Sequence, residues 1–130
     1  MKYGLIILIL LLSSSAFANN ELSICESHQS KYEKESCLNQ LIKEKKRDLR
    51  VITAEVNAIV VSQEETGISR GLGKEFSLNT ENFKTYLNSH CSLYLGATGA
   101  NMGTGSVVAS MECEYVMLEQ RIKALSFIKR

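Results

Sequence analysis

The chain has 130 residues, with 15 Lys and Arg against 14 Asp and Glu. A charge so near neutral argues against a nucleic-acid binder or an electrostatic membrane binder, and the length allows one small domain. Four cysteines and the complete lack of proline narrow the reading towards a cross-linked helical protein.

Residues 1–18 come first. They run from Lys2 through the unbroken apolar stretch Leu5 to Leu12, then Ser13-Ser14-Ser15 and Ala16-Phe17-Ala18. A positive start, a short apolar core and a small-x-small ending describe a secretory signal peptide cut before Asn19. The apolar stretch is far short of the ~20 residues that span a bilayer, so no membrane anchor is expected. Cleavage leaves a single domain, residues 19–130, with 14 basic and 14 acidic side chains. Its expected location is the periplasm or the medium outside the cell.

Cys25, Cys37, Cys91 and Cys113 all lie in that domain. An even number in a short exported chain reads as two disulfides, and no pair has the CxxC spacing favoured by structural zinc. Three connectivities exist for four cysteines. On one straight helix Cys25 and Cys37 would stand about 18 Å apart, whereas a disulfide needs Cα atoms within about 7 Å. Pairing them therefore requires a bend, and Ser30-Lys31-Tyr32-Glu33 supplies one: Ser30 can cap a new helix while Glu33 reaches back to it. Cys91 and Cys113 flank a glycine-rich turn. Sequential pairing, Cys25–Cys37 and Cys91–Cys113, is the expectation.

The second helix is predicted over residues 31–65. Its apolar positions Leu38, Leu41, Ile42, Leu49, Ile52, Val56, Ile59 and Val60 step by three, four and seven along one stripe, and Gly67 is a natural stop. Such a helix is about 50 Å long, long enough that part of it is expected to project, bend or pack on another copy. Lys43, Lys45, Lys46, Arg47 and Arg50 form a basic cluster on it, read as a solvated face. A first loop is predicted at 66–79. Within it Gly71-Leu72-Gly73-Lys74 has a faint phosphate-loop look, but Glu75 stands where a magnesium-binding Ser or Thr belongs. A third helix follows, capped by Asn79 or Thr80, with Phe83, Tyr86, Leu87, Cys91 and Tyr94 on its buried side. The glycine-rich stretch from Gly96 to Gly105 is predicted to be non-helical. The last helix, capped by Thr104 or Ser106, carries the seam Val108, Met111, Tyr115, Leu118, Ile122 and Leu125. The fold class is all-α: a small disulfide-bonded bundle of one short and three longer helices.

Chemistry-bearing patterns are sparse. His90 and Cys91 are neighbours on a helix and point about 100° apart, so they do not form a nucleophile and base. Glu112 with Glu114, and Glu64 with Glu65, read as solvated carboxylates. No metal-ligand cluster stands out in the sequence. The expectation is a non-enzyme with no catalytic residues, no metal and no cofactor. The Gly96–Gly105 loop is the better candidate surface. It opens onto a helix N-terminus, whose free N–H groups favour an anion, and a Cys91–Cys113 bridge would hold its ends and lower the ordering cost of binding. Thr98, Asn101, Met102, Thr104 and Ser106 are its candidate contact residues.

In layout the chain resembles the LprI-like lysozyme-inhibitor family of small secreted helical domains. The resemblance rests on Cys25, Cys37 and the long helix after them. It continues with Phe83-Lys84-Thr85-Tyr86-Leu87-Asn88-Ser89-His90-Cys91, where an aromatic stands eight residues before the third cysteine. It ends with the glycine loop, Cys113 and Glu119-Gln120-Arg121. The chain departs from the family in having Phe83 for a frequent Trp and Leu87-Asn88 for Arg-Asp. The resemblance implies structural roles for Phe83 and Arg121, the latter as a tie to a carboxylate or loop carbonyl, and a protein partner such as lysozyme or another peptidoglycan hydrolase.

Two functions are expected to compete. One is an inhibitor that inserts the glycine loop into a hydrolase cleft, or an immunity protein using the same physics against a cell-wall-degrading toxin. The other is a non-enzymatic envelope module, monomeric or homodimeric, that uses the long helix.

Overall fold

The computed structural model describes residues 18–100, 102–103 and 105–130. They form four helices: α1 (Ala18–Glu26), α2 (Lys31–Glu65), α3 (Leu72–Thr98) and α4 (Ser106–Ser126). No strand occurs among the described residues. Of the signal segment expected at 1–18, all but Ala18 lies outside them.

The break between α1 and α2 has the anticipated cause. The Ser30 hydroxyl accepts from the Glu33 N–H at 3.2 Å, and the Glu33 carboxylate accepts from the Ser30 N–H at 3.4 Å. This reciprocal box caps α2 and turns α1 back along it. The return brings Cys25 to 5.5 Å, Cα to Cα, from Cys37, and the two are bonded. Cys91 and Cys113 form the second disulfide, between α3 and α4.

α2 is the spine, and the others lean on its apolar stripe. Near its end, Ile52, Val56 and Val60 pack with Phe76 of α3 and Leu125 of α4. Towards its start, Ile42 packs with Tyr115 and Leu118 of α4, with Leu22 of α1 at the border. A third cluster joins Cys91, Cys113 and Met117, bridged to the second through Phe83 and Leu87. These groupings set α4 parallel to α2 and directly against it, with α3 antiparallel to both. The buried residues of α2 extend from Leu38 to Val60, and α1 runs back alongside its first half, with Cys25 at Cys37 and Glu21 at Lys45.

Two boundaries differ from the sequence reading. α3 begins at Leu72 rather than at residue 79 or 80, so the first loop is only 66–71. Leu72 and Phe76 are one turn apart and both pack against Val56, Val60 and Leu125. That burial outweighs the cost of Gly73 inside a helix, about 1 kcal/mol. Asn79 and Thr80 are therefore interior residues, not caps. At the other end α3 continues through Gly96 to Thr98, leaving a connection of 99–105.

Candidate functional site

The 99–105 connection is built from backbone constraints. Gly99 ends α3 with φ 71°, and Gly103 has φ 98°. A residue with a Cβ is strained at such angles, so glycine is required for the chain to reverse here. The Met102 N–H donates to the Gly99 carbonyl at 3.2 Å, closing the turn. The Met102 side chain is left 81 % exposed. Behind the turn, the Cys91–Cys113 bridge ties the two helices that carry it. Among the described residues no side chain caps the first turn of α4, and the N–H groups at a helix start have no intrahelical acceptor.

The five expected contact residues are not equivalent. Asn101 and Thr104 lie outside the described residues. Thr98 is the last residue of α3 rather than part of a loop, and its hydroxyl donates to the Tyr94 carbonyl at 2.7 Å. Its proton is engaged, and only lone pairs face a partner. Ser106 is the first helical residue of α4 instead of its cap, with Gly105 at the cap position. Among the described three, Met102 has the side chain that stands out into solvent.

The two residues singled out for structure touch each other. Arg121 donates from Nη2 to the Asn79 Oδ1 at 2.6 Å, and its guanidinium lies 5.3 Å above the Phe83 ring. The tie therefore ends on a side-chain amide, not on a carboxylate or loop carbonyl.

A second surface was not visible in the sequence. A trough of about 670 Å³ lies over α4, between α1 and α3. Tyr86 and Tyr94, expected on the buried side of α3, are 55 % and 43 % exposed and form its wall with His90. The Tyr86 hydroxyl approaches His90 Nδ1 at 3.5 Å. Glu112, expected to be solvated, is partly withdrawn: burial raises its carboxyl pKa, Glu26 raises it further, and Lys34 opposes both. Its companion Glu114 instead pairs with Lys46 at 2.7 Å. The i, i+4 spacing of Tyr86, His90 and Tyr94 was the available signal, but the same spacing also describes a buried stripe.

Among the described residues, no group of three or more His, Cys, Asp or Glu side chains can hold a metal ion, and no helix is long and apolar enough to cross a membrane. Compared with protein-family models, with curated proteins and with solved structures, the chain matches none.

Proposed function

We propose that this chain is a non-enzymatic binding domain of an oxidising, extracytoplasmic compartment. Its action is to insert the 99–105 turn into the cleft of a peptidoglycan hydrolase such as a lysozyme. The observation that carries the reading is the turn itself: a short reversal fastened at its base by Cys91–Cys113, with Met102 exposed at its tip. A pre-tied loop loses little entropy on docking. The uncapped start of α4 presents N–H donors beside it, and glycosidase clefts carry a pair of carboxylates that such donors suit. Two disulfides fit an oxidising location. The resemblance in layout to LprI-like lysozyme inhibitors points the same way, and an immunity role against a cell-wall-degrading toxin would use the same contacts.

The competing envelope-module reading needs an unsatisfied long helix, and the stripe of α2 is already covered by its own bundle. The test is lysis of cell-wall suspensions by lysozymes of several types, with the oxidised protein added at micromolar concentration. Slowing of at least one enzyme is expected, relieved about tenfold by Met102→Asp with the far-UV circular dichroism unchanged. If no enzyme is slowed, the target assignment is wrong.

A further inference from the structure

The trough has a definite construction. Its floor is the α4 stripe Glu112, Cys113, Val116, Met117 and Gln120; one wall is Tyr86, His90 and Tyr94 of α3, the other Leu22, Ser23 and Glu26 of α1. Its charge is one-sided, because two carboxylates line it and no Lys or Arg does. Several acids elsewhere are closed by cations, Glu21 by Lys45, Glu35 by Lys31, Glu55 by Lys129 and Glu114 by Lys46, while Glu81 is an open acid on the exposed surface of α3. Glu26 and Glu112 make no ion pair or hydrogen bond among the described residues. Lys34 acts on Glu112 through its charge without forming an ion pair, and no cation lines the trough itself.

The walls restrict what can bring a positive charge there. Two exposed tyrosine faces attract a cation carried on a slim apolar stem. The carboxylates offer charge-assisted hydrogen bonds to its head. A neutral sugar could stack and hydrogen-bond here, yet it would leave Glu26 and Glu112 without an ion-pair partner. Position matters as well. Tyr94 lies one turn before Thr98, at the end of α3, and Glu112 stands within two turns of the start of α4. The trough therefore opens at the same end of the bundle as the 99–105 turn.

We infer that the trough between α1, α3 and α4 receives a lysine or arginine side chain of the partner protein, held by Glu26 and Glu112 against Tyr86 and Tyr94. This rests on the reading that the chain docks another protein through the adjacent turn, and it adds a charge requirement on that partner.

The experiment is a ¹⁵N NMR titration of the oxidised protein at neutral pH. The probes are a capped tetra-arginine peptide, a capped tetra-serine peptide and a tetramer of N-acetylglucosamine. Tetra-arginine alone should move the amides of residues 23–26, 86–94 and 112–120. Its binding should weaken about tenfold in the Glu26→Gln, Glu112→Gln double variant and stay unchanged in Glu81→Gln, a remote exposed acid. Three results would overturn the proposal: no localised shifts, equal weakening by Glu81→Gln, or shifts of these amides by the sugar and not by arginine. The hydrolase assay separates the two readings. Arginine binding without inhibition removes only the target, and inhibition that survives the double variant removes only the trough.

Discussion

The Tyr115 hydroxyl, on a side chain with no solvent exposure, donates to the Glu21 carboxylate at 2.6 Å and so ties the last helix to the first. Lys45 completes the group, 3.0 Å from the same Glu21 oxygen and 5.4 Å above the Tyr115 ring. The Tyr115 hydrogen bond is the largest influence holding the Glu21 carboxyl below its ordinary 4.5, followed by the hydrogen bond from Lys45.

That network gives the fold an acid-sensitive joint. A carboxyl whose folded pKa is depressed adds stability above its unfolded value, and the contribution disappears as pH falls through the folded one. Urea unfolding followed by circular dichroism should therefore show wild type losing more stability than Glu21→Gln between about pH 6 and pH 3. Tyr115→Phe should cost about 1 kcal/mol at neutral pH. A double-mutant cycle of the two should show coupling rather than additivity.

Phe76 tests where α3 begins. It is nearly buried and shares a cluster with Val56, Val60 and Leu125. Phe76→Ala should destabilise the protein by about 3–4 kcal/mol through the cavity it leaves. Leu93→Ala, at a site 68 % exposed on the same helix, should change stability by less than about 0.5 kcal/mol. Thermal melts of the two variants make the comparison, and similar midpoints would contradict the packing of the 72–79 turns.

Much of this architecture can be read from local sequence. Ser30 and Glu33 announce their own helix start, and Leu38 to Val60 mark a stripe whose period admits only a helix. What failed was punctuation by glycine. Gly73 and Gly96 read as breakers because their cost is local, while the packing of Leu72 and Phe76 that outweighs it is tertiary. Tyr86 and Tyr94 failed for a related reason. Helical spacing groups residues on one face, yet it does not say whether a neighbour covers that face, and α1 stops short of doing so. The Glu21–Tyr115 bond was beyond reach, since nothing in either segment names a partner 94 positions away.

Arg121 offers a prediction about geometry more than charge. Arg121→Ala should lower stability by about 1–2 kcal/mol, losing both the Asn79 hydrogen bond and the cover over Phe83. Arg121→Lys should recover less than half, because a point ammonium lacks the planar group that stacks. Melting temperatures decide this, and full recovery by lysine would assign the residue a purely electrostatic role.

Replacing Cys25 and Cys37 with serine should cost about 3 kcal/mol in the chain-entropy view, as should the Cys91 and Cys113 pair. The two losses should differ in kind. Without Cys25–Cys37, α1 is held by the Glu21 network and Leu22, so hydrogen exchange should accelerate over residues 21–26 while α2 to α4 stay protected. Without Cys91–Cys113, the faster exchange should instead appear beside the 99–105 turn.

Both sulfur bridges sit at one pole of the bundle, the pole that also carries the exposed methionine. The opposite pole, where Val60, Phe76 and Leu125 meet, has only packing and surface contacts such as Lys129 to Glu55 to close it. Heat or a protease then finds its opening around residues 66–71, and the molecule unzips from the end that no sulfur bridge holds. The cross-linked end is the last part to lose its shape.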